Sequence, residues 1–389
     1  MNTPLDKASS RSVAIIRSRS INPGTYKVAD ILAKNGYNVQ VILWNRDREK
    51  HKFIEKVNNY SVIYFNLRAP HDKVTVIPLL PLWWIYEFIF LFIKNSINVI
   101  HAYDFDTLWP AVLIKLLKKR VKLVYSIQDF YSENLPECFP SLIRNMINIL
   151  EKLLIKYCDA VFLVNPAMYY HLRGSFIKRV KVIYNSPPDI KKTENLSVKM
   201  LRTNPPELII FYAGQIHRSR GLIELLKALR SLNNVKLIVA GRGPDISIFL
   251  KIPEDLKNKI NYIGVLPYNE VIRKTLEADV IVALYDPKIP NNRYASPNKL
   301  FEAMMCSKPI IINKETFAAK IVEKVKCGLT VPYGDINGIK GALIMLRDNP
   351  HLRMELGYNG RKAYEKIFCW ELMKKKIIET YKELLEEKL

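Results

Sequence analysis

Short runs of β-branched and apolar residues alternate along this chain with longer stretches whose apolar residues recur every three or four positions. The short runs predict strands at 12–18 (SVAIIRS), 38–44, 61–67, 98–103, 122–127, 160–165 and 181–185. A second set follows at 208–214 (LIIFYAG), 236–241, 260–265, 279–285, 309–313 and 329–333. The longer stretches predict helices, among them TYKVADILAKNG (25–36), LWPAVLIKLLKK (108–119), LIELLKALRSL (222–232), VIRKTLEA (271–278) and GIKGALIMLRDN (338–349). Such alternation implies an α/β class, with parallel sheets covered by helices on both faces.

The two strand sets are separated by SPPDIKKTENLSVKMLRTNPPE (186–207), whose four prolines, charges and missing apolar period predict a linker. The expected division is a first domain over 1–190, a second over 208–365, and an amphipathic helix over 366–389 carrying Leu372, Ile377, Ile378, Tyr381 and Leu384 at helical spacing. One stretch departs from the pattern. VIPLLPLWWIYEFIFLFI (76–93) is apolar except for its prolines and Glu87, and from Leu82 to Ile93 no face is polar. Spanning a bilayer takes roughly 20 apolar residues, and Pro78, Pro81 and Glu87 argue against it. The expectation is a helix lying in a membrane interface, with Trp83, Trp84 and Tyr86 at headgroup depth. The alternatives are a wholly buried helix or a protein–protein patch.

Composition narrows this only in part. A chain of 389 residues suits two domains, and 49% apolar with 25% charged residues excludes a disordered chain. Five scattered cysteines with no CxxC argue against a disulfide framework or zinc site and for reduced thiols in the cytoplasm. The first twelve residues are polar, so no signal peptide is expected. The net charge of +23 is spread over both halves, 26 basic against 15 acidic residues up to 190 and 34 against 22 beyond. That surface suits phosphorylated small molecules, anionic lipid or nucleic acid, but no nucleic-acid-binding module is present.

Candidate chemistry lies at the strand ends of the second half. In SPNKLFEAM (296–304), Ser296 fits an N-cap and Pro297 the first helical position, so the helix entrance offers free N–H groups to a phosphate. Lys299 adds a mobile charge, and Glu302, one turn after Asn298, can accept hydrogen bonds from a ribose diol. An exposed Lys–Glu pair on a capped helix is the plainer alternative. A second turn, Gly214-Gln215-Ile216-His217-Arg218-Ser219-Arg220, gathers cations after a strand, with Gly214 allowing close backbone approach. A third holds Gly241 and Gly243 but is not GxGxxG, which makes a dinucleotide reading weak. In the first half Asp104, Asp106 and Asp129 follow strands and could orient a hydroxyl, or else cap loops. His101 is expected inside the core. No metal-ligand cluster and no glycosidase-type carboxylate pair is evident.

FYAGQIHRSRGLIELLKAL, KLIVAGRGP, NYIGVLPYNEV, ADVIVALY and SPNKLFEAMMCSKPII, in this order and spacing, resemble family 4 retaining glycosyltransferases with the GT-B fold. The first half agrees in NPGTYKVADILAKNGYNVQVILWNR, INVIHAYDFDTLWPAVL, KLVYSIQDFYSEN and RVKVIYNSPPD, so the likeness covers nearly the whole chain. It implies two Rossmann-like parallel-sheet domains facing a cleft and a nucleotide-diphosphate sugar as donor; without a metal-ligand cluster, a metal-independent reaction with no cofactor is expected. By motif, Arg220 stands where a cation meets the diphosphate and Glu302 where a glutamate binds the ribose. Ser296, Pro297 and Asn298 face the phosphate, Val265 and Leu266 the nucleobase, and Asn22, Pro23 and Gly24 match the N-terminal loop. Four positions depart from the family pattern. Tyr294 replaces an acid that contacts the sugar, Gln215 an arginine for which Arg218 would substitute, and Tyr103 and Gln128 two histidines. The expected activity is transfer of a hexose-type sugar with retention to a lipid-linked or saccharide acceptor. It would take place at the inner face of the cell membrane, with Arg218, Arg220, Lys299, Asp129 and Asp104 carrying the chemistry. A sugar-nucleotide epimerase or a non-catalytic partner subunit of the same fold is the alternative.

Overall fold

The computed structural model describes residues 11–19, 23–48, 52–70, 75–135, 139–170, 172–190 and 207–386. They form two units, Met1–Tyr184 with Lys374–Leu389 and Asn185–Met373. Most of the linker expected at 186–207 lies outside the described residues.

The first unit runs β1 (Ser12–Arg17), α1 (Pro23–Lys34), β2 (Asn38–Trp44), β3 (Ile54–Val57), β4 (Tyr60–Phe65), α2 (Leu80–Ile93), β5 (Val99–Tyr103), α3 (Phe105–Leu117), β6 (Lys122–Ile127), α4 (Ser141–Ile155), β7 (Ala160–Leu163) and β8 (Val180–Val182). Its sheet has the order β3-β4-β2-β1-β5-β6-β7-β8, and every pairing is parallel except β3–β4. β1 and β5 are buried along their whole length, which is why they read as unbroken apolar runs. β3 was not legible in that pattern. It is a half-exposed edge strand joined to β4 by a tight turn in which Asn58 takes φ 50°.

The second unit runs β9 (Leu208–Ala213), α5 (Leu222–Arg230), β10 (Val235–Ala240), β11 (Ile260–Tyr262), α6 (Tyr268–Glu277), β12 (Val280–Ala283), α7 (Asn298–Met305), β13 (Ile310–Asn313), α8 (Phe317–Val325), β14 (Gly328–Val331), α9 (Ile336–Asp348) and α10 (Pro350–Ala363). A π-helical turn at Tyr364–Phe368 leads into α11 (Trp370–Glu386). The sheet order is β11-β10-β9-β12-β13-β14, parallel throughout. Residues of α11 up to Met373 group with this unit and those from Lys374 with the first. There Ile377, Tyr381 and Leu384 are fully buried, and the Tyr381 hydroxyl meets His101 Nδ1 at 2.7 Å.

The apolar stretch 76–93 forms a 3₁₀ turn and then α2, and no described helix is long and apolar enough to cross a membrane. The aromatic residues expected at headgroup depth face inward instead. Trp83 is fully buried and stacks on Trp44 at 5.8 Å, and Tyr86 stacks on Phe65 at 4.6 Å. The Trp84 indole donates to the Asp106 carbonyl at 2.8 Å. These flat rings fill the space over β2 and β4, leaving the aliphatic side chains Leu82, Ile85 and Ile89 outside.

Candidate active site

In a doubly wound sheet, ligands bind beyond the carboxyl ends of the strands where the strand order reverses. In the second unit that point lies between β9 and β12, which pair directly. The turn after β9 and the loop after β12 therefore emerge side by side. The β9 turn reaches Gly221, at φ 61°, and a Cβ there would sit 2.6 Å from Leu284 Cβ. Only glycine lets α5 start so close to the end of β12, and this holds Arg220 over the β12 loop.

Two cations meet there. The Arg220 guanidinium lies 4.6 Å from the Tyr285 ring centre, and its Nη1 donates to Asn292 Oδ1 at 3.0 Å. The Lys299 ammonium lies 5.6 Å from the same ring and 4.4 Å from Tyr212. Lys299 is 9% exposed, so it is a caged charge rather than the mobile one expected. Burial acts to lower its pKa, but the Tyr212 and Tyr285 hydroxyls outweigh this and the net direction is up. Neither cation has a carboxylate partner among the described residues. A Cβ at position 214 would come within 2.9 Å of Lys299 Nζ, so Gly214 keeps the front of the ammonium open.

The neighbouring positions sort by geometry. α7 begins at Asn298, with extended Pro297 (ψ 131°) as its N-cap, one residue later than expected. Ser296 does not cap it: its Oγ is buried without a partner and its carbonyl accepts from Asn185 Nδ2 at 3.2 Å. Glu302 is 5% exposed, and its carboxylate lies beside the Tyr268 hydroxyl. Desolvation of that hydroxyl, followed by Glu302, raises the tyrosine's pKa. Arg218 points elsewhere. Its side chain is 75% exposed and pairs with Asp245 at 3.1 Å, so it does not join Arg220 and Lys299 on the Tyr285 ring. His217 Nδ1 accepts from the Ser219 N–H at 3.2 Å and thereby caps the turn. Tyr294 is half-buried after the one-turn helix Pro290–Arg293. Val265 is 64% exposed and Leu266 half-buried beyond β11.

Gly241 and Gly243 answer to neighbouring backbone. A Cβ would lie 1.8 Å from the Gly214 carbonyl oxygen at the first and 1.9 Å from that of Ile216 at the second. Hydrogen bonds from Gly214 N to Ala240 O, Ile216 N to Arg242 O and Gly241 N to Gly264 O zip these three strand-end loops together. Gln215 is exposed at the edge of that seam, its carbonyl accepting from the Tyr212 hydroxyl at 2.6 Å.

The first unit has its own reversal, between β1 and β5. Beyond it lie Asp104, which adopts φ 66° and ψ 164°, Asp106 and Arg17, with Arg17 3.9 Å from the Asp104 carboxylate. Ser18 Oγ donates to Asp106 Oδ2, and Arg46 Nη2 to the Ser18 carbonyl at 2.9 Å. Burial works to lower the Arg19 pKa, but Asp104, Asp106, Tyr131 and Asp129 outweigh it and keep the guanidinium charged. Asp129 is exposed and Gln128 half-buried just past β6. Tyr103 is buried and stacks on His101 at 4.6 Å. Arg17, Arg19 and Arg46 were missed in the sequence, although the first ends a strand and the others lie two residues past one (IIRSRS, ILWNR). In the expected N-terminal loop, Asn22 lies outside the described residues, and Pro23 and Gly24 form the first turn of α1.

Comparison with known proteins agrees with this architecture. The family model for glycosyl transferases group 1 matches residues 195–363, and that for Glycosyltransferase Family 4 matches 24–186. The capsular polysaccharide biosynthesis glycosyltransferase CapM of Staphylococcus aureus is 26% identical over 208 residues, 51% of each chain. Sucrose-phosphate synthase from Thermosynechococcus elongatus superposes with a TM-score of 0.73 at 19% identity, covering 96% of this chain and 99% of that one. HepE of Anabaena in complex with UDP gives 0.68 at 16%, covering 96% and 100%. With the two family models together matching most of the chain, it belongs to the family 4 glycosyltransferases and is a glycosyltransferase of GT-B fold.

Proposed function

We propose that this enzyme transfers a hexose-type sugar, with retention at the anomeric carbon, from a nucleotide diphosphate to a lipid-linked or saccharide acceptor at the cytosolic face of a membrane. The observation that carries the reading is the pair of cations on Tyr285. Desolvating an ammonium costs several kcal/mol, whereas cation–π contact returns about 2 kcal/mol. The tyrosines keep Lys299 charged but bring no carboxylate to it among the described residues, and a diphosphate oxygen supplies that counter-charge. In this reading Arg220, Lys299 and the free N–H groups of α7 hold the diphosphate and stabilise it as it departs. Glu302 takes the ribose, and Val265 with Leu266 flanks the base. Gly214, Gln215, His217, Gly241 and Tyr294 line the donor side, with Arg218 adding charge at its edge. Asp104 and Asp129 orient the acceptor hydroxyl. The complex of HepE with UDP and the role of CapM in capsular polysaccharide biosynthesis support a nucleotide-sugar donor and a glycan product.

A calorimetric titration of nucleoside diphosphates tests the donor side. Arg220→Ala and Lys299→Ala should each weaken binding about tenfold or more. Turnover in Arg220→Ala should fall by about 10² or more, with the fold intact by circular dichroism. Undiminished transfer in that variant overturns the assignment, and release of an epimerised donor in the absence of acceptor overturns the transferase reading. NMR of the product's anomeric proton reads retention directly.

A further inference from the structure

We propose that the outer face of α2, α3 and α4 in the first unit is a docking surface for an anionic lipid bilayer. The inference rests on the membrane-acting reading above and supplies the surface and lipid class that reading requires. The crossovers from β4 to β5, β5 to β6 and β6 to β7 all run in one direction across the sheet. Right-handed connections then place α2, α3 and α4 on the same side of it. Helix α3 packs between the other two.

Their outward positions are aliphatic. Ile85 and Ile89 of α2, Leu116 of α3, and Met146, Ile149 and Leu153 of α4 are each between 49% and 57% exposed. An apolar surface spread over three adjacent helices exceeds the scattered single residues of an ordinary protein surface.

The charges choose among possible occupants. The three helices contain three carboxylates, Glu87, Asp106 and Glu151, and all turn inward, with exposures of 0%, 3% and 0%. Tyr125 donates to Glu151, Ser18 donates to Asp106, and burial pushes the Glu87 pKa well above the usual carboxylate range. Among the described residues, every charge left outside on these helices and their ends is positive: Arg144 and Lys152 on α4, and Lys94, Lys119, Arg120 and Lys156 at the helix ends. Aliphatic side chains bordered by cations, with no exposed acid among them, form the two-part attraction that holds a peripheral protein to acidic headgroups. A second copy of this chain would bring like charge against like.

Cosedimentation of the full chain with large unilamellar vesicles tests this. Vesicles with about a third phosphatidylglycerol in phosphatidylcholine should carry the protein down at low salt, and phosphatidylcholine alone should not. Ile149→Ser with Leu153→Ser should weaken vesicle affinity about tenfold or more, and Lys152→Glu with Lys156→Glu should remove the preference for anionic lipid. Both variants should keep the parent's melting temperature and nucleotide affinity. If the parent does not sediment with anionic vesicles, or the serine variant sediments as the parent does, the proposal is wrong. It is equally wrong if the parent is a stable dimer that the serine variant dissociates. Vesicle binding and sugar transfer are read separately. A chain that binds vesicles but transfers no sugar refutes the transferase reading alone, and one that transfers sugar to a soluble acceptor without binding vesicles refutes this proposal alone.

Discussion

His101 sits at the centre of the first sheet with no exposed surface, one ring nitrogen 2.7 Å from Ser126 Oγ and the other 2.7 Å from the Tyr381 hydroxyl. Burial drives its pKa from 6.5 down to about 3. The folded chain thus binds this proton less readily than the unfolded one. Its contribution to stability is complete above pH 6.5 and is lost as pH falls towards 3, by up to about 1.4 kcal/mol per pH unit. Urea denaturation between pH 7 and 4 should show that slope, and His101→Asn should flatten it. The place of His101 in the core was legible because it stands inside an apolar strand run. The setting of Lys299 was not. In the sequence it is a lysine near a helix start, and only the fold brings Tyr212, from 87 positions earlier, and Tyr285 around it. Cages of this kind are assembled from residues with no local periodicity, so no window of sequence reports them.

Among the elements, Gly243 of the third turn is fixed by packing. Gly243 has no left-handed backbone to excuse it, yet a Cβ would collide with the Ile216 carbonyl. Gly243→Ala should destabilise the second unit by about 1–3 kcal/mol, read by thermal or urea melting, because the seam of loops has to open to admit the methyl group. The strands themselves were read well. The inner strands β1, β5, β12 and β13 are buried along their whole length and read as apolar runs. β3 escaped because an exposed edge strand needs no such run, and the pair Asn58-Asn59 between IEKV and YSVIYF was its one local sign. Helix α2 was found for the right reason but turned the wrong way. Composition shows that it is apolar all round, while the Trp44–Trp83 stack that decides which side is buried is a contact between distant segments.

For the whole molecule, the division into two units follows from the two strand sets, but the return of the chain does not. The residues from Lys374 onward complete the first unit rather than hanging from the second. A truncation after Met373 would uncover His101 and Tyr37, against which Tyr381 packs. Hydrogen exchange on that truncated chain should show lost protection in β1, β5 and β6, while the second unit keeps its protection and its affinity for nucleoside diphosphates. Uniform loss across both units, or none, would contradict the assignment of α11.

That return also sets an order of events during synthesis. A ribosome delivers β1 to β8 early, yet the layer that seals this sheet emerges only after all of the second unit has been translated. The nascent first unit must wait with a bare apolar flank, and the step that finishes it comes last. Folding of the enzyme should therefore depend on chaperones that shield such a flank for as long as the remaining half takes to appear.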